Sequence, residues 1–368
     1  MKKLHDLVVY QNRGEYAAFN SFPNAAITHS GRMVLAFRQA RDYRALHGKT
    51  VHIDPKARGV LIASEDHGAT WSSPPSTMAD HFLYGVQDPC LKTLRDGTLL
   101  GTYFLWKAVE AEPGDGIPPA KPIYPGWGGL LVGAWTVRSA DEGRTWDEPV
   151  ALGTAPLAVR GNPVELPDGT LLLAAYGQGS VHLLASTDYG RNWTARSVLQ
   201  HPDYSLQEPN LHLTPSGKVI VFIRSVPRGE DALSETDNAR WRPETPLWQR
   251  GRLFTAESTD QGRHWSPLCP RPVYSSSPSH LLPLASGRVL LSYGYRKPPY
   301  GIRARLLDAE CAQWGEEIVL RDDGGGFDLG YTSAVQAADG TIWIFYYWYE
   351  TGGDEHRHIV ATLCREDG

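Results

Sequence analysis

The chain has 368 residues, 41% hydrophobic and 21% charged, with a net charge of −5. This excludes a disordered chain, and the lack of any Lys/Arg run excludes a nucleic-acid binder. No stretch reaches the ~18 consecutive apolar residues of a membrane helix.

From the N-terminus, Met1–Asp6 lacks the long apolar core of a signal peptide, so a cytoplasmic location is expected. Leu7–Tyr10 reads as a strand expected to pair around Ile359–Leu363 and close a ring. The cysteines Cys90, Cys269, Cys311 and Cys364 form no CxxC and read as buried free thiols. The histidines are scattered, and His356-Arg357-His358 reads as surface rather than ligand, so no metal and no cofactor is expected.

Two repeats run through the chain. The first is a small residue and Gly followed by an apolar run: Ser30-Gly31, Asp96-Gly97, Asp168-Gly169, Ser216-Gly217, Ser286-Gly287 and Asp339-Gly340. Each is a hairpin signal. The glycines lie 66, 72, 48, 70 and 53 residues apart, and the shortest gap holds four short strands. The second repeat, Ser-x-Asp-x-Gly-x-x-Trp, runs Ser64–Trp71, Ser139–Trp146, Ser186–Trp193 and Ser258–Trp265, with a decayed copy at Leu307–Trp314. Its Asp and Ser suit hydrogen bonds within their own turn, and its Gly a positive φ, so the box is structural. Alternating turn and box define six four-stranded units. The fold class is therefore all-β, a six-bladed propeller of antiparallel blades spanning residues 1–368.

Both short turns of every blade share one face, so functional side chains belong on the other. Nine residues before each turn glycine stand Phe22, Asp88, Glu208, Pro278 and Tyr331, with Arg160-Gly161-Asn162-Pro163 in the shorter third blade. Asp88, Arg160, Glu208, His280 and Tyr331 are expected to converge on a central cavity. Ends of second strands add Arg38, Arg41, Arg224 and Arg296, and starts of third strands add Asp54, Arg252 and Arg303. Converging polar groups cost desolvation, which points to a ligand. Two long connections, Trp106–Trp127 and Val226–Arg250, are expected to wall the cavity with aromatic rings suited to sugar faces.

The boxes resemble those of the sialidase superfamily. That family consists of retaining hydrolases with a tyrosine nucleophile. Gly330-Tyr331-Thr332-Ser333, then Asp339-Gly340 and Tyr349-Glu350, resembles its C-terminal pattern. The resemblance implies Tyr331 as nucleophile, Glu208 of Gln207–Asn210 as its activating base, and Asp54 as acid/base, with His52 and His47 as rivals. Arg38, Arg41, Asp88, Arg160, Arg252, His280, Arg296 and Arg303 are then expected to bind substrate. The chain departs from the family's three-arginine carboxylate clamp. Ser21 holds the first place, Arg252 or Arg250 stands near the second, and Arg296 is only a neighbour of the third. Ser279–Leu282, Tyr293–Arg296 and Gly326–Tyr331 resemble a sialidase-like subgroup without the full clamp. The implied function is an exo-glycoside hydrolase acting on a terminal sugar. A polysaccharide lyase on a uronate-containing glycan and a non-catalytic carbohydrate-binding propeller are the alternatives.

Overall fold

The computed structural model describes all residues other than 15–16, 45–51, 111–120, 125, 229–250, 274–276, 354 and 368. It is all-β, with six antiparallel sheets arranged as the six blades of a propeller. Blade 1 runs outward from the axis as Phe19–Ile27, Met33–Ala40, Arg58–Ser64 and Ser76–Ala79. The inner strands of blades 2, 4 and 5 are Gly85–Thr93, Tyr204–Leu213 and Ser279–Pro283. In blade 3 the inner strand is split into Ala158–Val159 and Val164–Glu165. Blade 6 carries Gly330–Gln336, Ile342–Trp348 and His358–Arg365, and its outermost strand is Lys2–Tyr10 from the other end of the chain.

That closure is the expected one: Leu7 pairs with Ala361, Val8 with Val360 and Tyr10 with Ile359. The N-terminal strand covers an edge that would otherwise offer unpaired backbone groups.

The core lies between blades. Phe22, Leu35 and Phe37 of blade 1 pack on Tyr331, Phe345 and Tyr347 of blade 6. Comparable clusters join the other neighbouring blades. A middle strand therefore has two buried faces, which is why Ile342–Trp348 is apolar or aromatic throughout and wholly buried.

Each repeat does one local job. At the turns, the amide of Gly340 donates to Ala337 O at 2.9 Å with φ +84°, a conformation that glycine adopts without strain. In the first box, Ser64 Oγ donates to Asp66 Oδ1 (2.7 Å) and accepts from Gly68 N (2.7 Å), while Asp66 also accepts from Thr70 N (2.8 Å). Gly68 leaves room that a Cβ would not, since that atom would meet the Trp343 ring at 2.5 Å. Trp71 packs edge-on to Phe345 of the neighbouring blade at 5.8 Å. The decayed box keeps its shape: Leu307 bridges Trp314 and Cys311 takes φ +54°.

Two expectations need correction. All four cysteines are free, but Cys269 is exposed rather than buried. His358 is buried at 3% exposure, because its ring points inward beneath Glu350, 3.4 Å away, instead of standing on the surface.

Candidate active site

Four inner strands share one irregularity. Blades 1, 2, 4 and 6 break ladder register between Ser21 and Asn24, Gln87 and Cys90, Gln207 and Asn210, and Gly330 and Ser333. Each break is a bulge, with two residues opposing one. Its first residue takes a left-handed backbone: Phe22 (φ +58°), Asp88 (+47°), Glu208 (+45°) and Tyr331 (+49°). Non-glycine residues held there cost about 1–3 kcal/mol each, and such strain gathers at functional sites. In three of them a proline follows, whose missing N–H suits the unpaired bulge position.

The four bulges aim their side chains into a cavity of about 250 Å³ at the mouth opposite the hairpin turns. Arg224, Arg296, His52 and the rings of Trp106 and Phe327 complete much of its wall. Tyr331 donates its phenolic hydrogen to Glu208 Oε1. Arg224 Nη1 donates to Glu208 Oε2 at 2.5 Å and to the Tyr331 oxygen at 3.2 Å. The guanidinium of Arg296 lies 5.0 Å from the Tyr331 ring centroid and donates to Tyr347 Oη at 2.9 Å. Asp328 stands behind, accepting from Tyr347 Oη at 2.8 Å and pairing with Arg357 at 3.2 Å and His52 at 3.6 Å.

Burial, and then the charge of Glu208, hold the Tyr331 phenol well above its ordinary pKa, while Arg224 and Arg296 oppose them. The phenol is therefore neutral and its proton sits against a carboxylate. Burial pushes the Asp88 carboxyl up to about 7; Glu208 adds to this, while Arg160, Arg38 and Arg224 oppose it. Asp88 Oδ1 is buried with no hydrogen-bond partner. Burial would also raise Asp328, but His52, Arg357, Arg296 and the Tyr347 hydrogen bond outweigh it and keep the group ionised. Three carboxyl groups at one mouth thus stand in different environments.

The remaining expected residues divide. Arg160 leaves the break in the blade 3 strand and lies behind the lining residues as a floor, its guanidinium 5.3 Å from the Tyr331 ring centroid. Its Nη2 donates to Pro23 O (3.1 Å) and Tyr331 O (3.4 Å), and its Nη1 to Cys90 Sγ (3.1 Å). Arg38 is fully buried behind Phe22 and donates to His52 O at 2.8 Å. His280 lies beneath the floor, its Nε2 3.2 Å from Ala334 O.

Arg38 and Arg160 stand behind the lining residues, and five further expected residues do not line the mouth cavity either. Asp54, the expected acid/base, has its buried carboxylate held by Arg41 Nη2 (2.8 Å), Tyr43 Oη (2.9 Å) and Lys56 N (2.9 Å), off the cavity lining. Arg41 is its partner and stacks on Tyr43 rather than facing substrate. Arg252 lies by the Tyr204 ring, 6.0 Å away, and is not among the residues that line the cavity. Arg303 is turned outward to Arg321 O and Glu317. His280, below the floor, cannot touch a ligand at the mouth. His47, Arg250 and most of both long connections lie outside the described residues, but Trp106 does wall the cavity.

Arg224 stands at the end of a second strand as expected, but it was not among the residues expected to bind substrate, and it lines the cavity. Seven residues after five of the six turn glycines stand Arg38, Phe104, Tyr176, Arg224 and Tyr347, and four of these, all but Tyr176, pair with the residue that precedes a bulge.

A six-bladed propeller with Asp-boxes and a tyrosine–carboxylate couple at its mouth defines a sialidase-like fold class. The chain belongs to the BNR repeat-like domain family, whose model matches residues 121–344. A protein of unknown function from Dyadobacter fermentans is 31% identical, with a TM-score of 0.81 over 98% of each chain. The Hadza microbial sialidase Hz136 is 16% identical, with a TM-score of 0.67 over 98% of this chain and 68% of its own. The leech intramolecular trans-sialidase is 12% identical, with a TM-score of 0.66 over 99% and 70%. At such identity the two sialidases share the fold alone. No functionally curated protein matches the chain.

Proposed function

We propose that the protein is a sialidase-like, retaining exo-glycoside hydrolase acting on a terminal sugar. The observation that carries this reading is the Tyr331–Glu208–Arg224 chain of hydrogen bonds inside the cavity. A phenol attacks poorly at neutral pH unless a base takes its proton, and Glu208 is in place to do so. A volume of about 250 Å³ lies below the ~300–1,000 Å³ of drug-sized ligand pockets, which suits one ring rather than an internal stretch of polymer.

In the first step the Tyr331 oxygen bonds to the anomeric carbon while its proton passes to Glu208. The bond to the leaving oxygen breaks, and that oxygen takes a proton from Asp88. Asp88 replaces Asp54 as acid, since it lines the cavity and is half-protonated near neutral pH. In the second step water attacks the same carbon and yields a proton to Asp88, and Tyr331 recovers its own from Glu208. Two inversions give retention. Arg224 and Arg296 are the cavity guanidinium groups, and a carboxylated sugar meets them without a partner from the Ser21 position.

The test is a screen of chromogenic glycosides with and without a carboxylate, followed by Tyr331→Phe. Release of chromophore by the wild type and not by the variant supports the reading. Full activity in the variant, an unsaturated product with new ultraviolet absorbance, or sugar binding with no product from any glycoside overturns it.

A further inference from the structure

Blade 3 sends no bulge into the mouth cavity, yet it contributes Tyr176 to the wall. Tyr176 stands near the end of Leu171–Gly177, seven residues after Gly169. Arg224 holds the same place in blade 4, seven residues after Gly217. Tyr176 pairs with Ala158 on one side and Val181 on the other, so two strands fix its backbone. The transfer between Tyr331 and Glu208 makes no use of it.

The Tyr176 hydroxyl makes no hydrogen bond with a described residue. Burial, and then the charges of Glu208 and Asp88, hold its pKa well above the ordinary phenol value, against Arg224 and Arg160. It is therefore a neutral hydroxyl within reach of the field of both carboxyl groups. The two neighbouring blades each add a glutamine from the position just before the bulge, Gln87 in blade 2 and Gln207 in blade 4. The Gln87 side chain is 7% exposed and makes no hydrogen bond with a described residue. Gln207 Nε2 donates to Ser205 Oγ at 3.3 Å.

The wall is thus divided. From blade 4 to blade 6 the polar groups engage one another: Arg224 holds Glu208 at 2.5 Å, and Arg296 donates to Leu329 O at 3.2 Å and Tyr347 Oη at 2.9 Å. From blade 2 to blade 4 the wall offers neutral groups, two of which, on different blades, have no side-chain partner. We infer that Tyr176 and Gln87 determine specificity by reading a hydroxyl of the terminal sugar. A phenol and an amide each donate and accept, as a sugar hydroxyl does. A carboxylate only accepts, and on this side it would meet the charges of Glu208 and Asp88. A hydrogen or methyl group there would displace water from the phenol and the amide and return no hydrogen bond, which a site built for a hydroxyl rejects. On the hydrolase reading above, on which this assignment rests, the substrate is a terminal sugar whose hydroxyl on the blade 2 to blade 4 side is unsubstituted.

Rates for the wild type, Tyr176→Phe and Gln87→Leu test it, measured with the 4-nitrophenyl glycoside that the wild type cleaves best and with each of its monodeoxy forms. Tyr176→Phe should lower kcat/KM on the parent glycoside by about fivefold, the loss of one hydrogen bond between neutral groups. The wild type should cleave one monodeoxy form less well by about the same factor. On that form Tyr176→Phe should match the wild type, because both changes remove the same hydrogen bond. Gln87→Leu should show its loss on the parent and not on that form. The melting temperature of Tyr176→Phe should equal that of the wild type, since the ring stays and the hydroxyl has no partner among the described residues. Equal kcat/KM for the wild type and Tyr176→Phe on the parent, or the same loss on every monodeoxy form, overturns the assignment and leaves the hydrolase reading standing. If the wild type cleaves no glycoside, the hydrolase reading falls, and calorimetry with the methyl glycosides of the screened sugars judges the hydroxyl contact. Weaker binding by Tyr176→Phe than by the wild type then supports it, and equal binding or none overturns it.

Discussion

The phenolic hydroxyl of Tyr331 in blade 6 donates its hydrogen bond to the carboxylate of Glu208 in blade 4, across the end of blade 5. The two residues are 123 positions apart in sequence, yet both stand first in a bulge with φ near +45° to +49°. The phenol and the carboxylate are thus held by the same backbone device in two blades.

Removing the phenol should stop turnover while keeping the fold. Tyr331→Phe is expected to lower kcat by about 10³ or more on any glycoside the wild type cleaves. Glu208→Gln should lose activity comparably, because the amide accepts no proton. Steady-state rates with circular dichroism on the same samples check both.

The acid assigned to Asp88 predicts a pH profile. Its carboxyl must be protonated to act and ionises around pH 7, so kcat/KM should fall as pH rises through about 7. In Asp88→Asn the rate should be low, and that alkaline limb should disappear. Substrates with an acidic leaving group, which need no proton, should recover much of the loss. A profile in Asp88→Asn with the wild-type alkaline limb would assign it to another group, His52 first.

The same group predicts a stability change with the opposite sign to most carboxylates. The folded pKa of Asp88, about 7, lies above its ordinary value of 3.8. Folding therefore carries no penalty from this group below pH 3.8, a growing one up to pH 7, and the full one above it. At about 1.36 kcal/mol per pKa unit the ceiling is about 4 kcal/mol. Asp88→Asn should raise the melting temperature by several degrees at pH 8 and change it little at pH 4. Scanning calorimetry at both values is the check.

Arg224 and Glu208 form a buried pair at 2.5 Å, with side chains 2% and 7% exposed. Breaking such a pair leaves an uncompensated buried charge and costs about 3–5 kcal/mol. Arg224→Met should therefore destabilise strongly, and Arg224→Met with Glu208→Gln should recover part of the loss. Urea unfolding of the two single variants and the double one measures the coupling.

Deleting residues 1–10 should expose the edge of His358–Arg365 and break the only strand pairing between the two ends of the chain among the described residues. A lower melting temperature and concentration-dependent association in light scattering are expected.

The repeats made the fold legible because both are local. A Gly at positive φ and an Asp that bonds its own turn read the same way in every copy, so the six turns and four boxes set the register of the ring. That register also put Asp88, Glu208 and Tyr331 at equivalent places. It went wrong where an arginine's partner mattered. Arg252 and Arg303 stand at starts of strands like the true wall residues, but Tyr204 and Glu317 draw them elsewhere. Asp54 matched the acid/base position by resemblance, and Arg41, thirteen residues before it, folds back to occupy it.

By itself the sequence determined the propeller, its blade count and closure, and the face that carries Asp88, Glu208 and Tyr331, because turn geometry and strand periodicity depend on near neighbours. Only the tertiary structure decided which polar groups share the cavity and in what state. Those depend on charges and burial brought together from different blades: Tyr331 against Glu208, and Asp88 desolvated to a pKa of about 7.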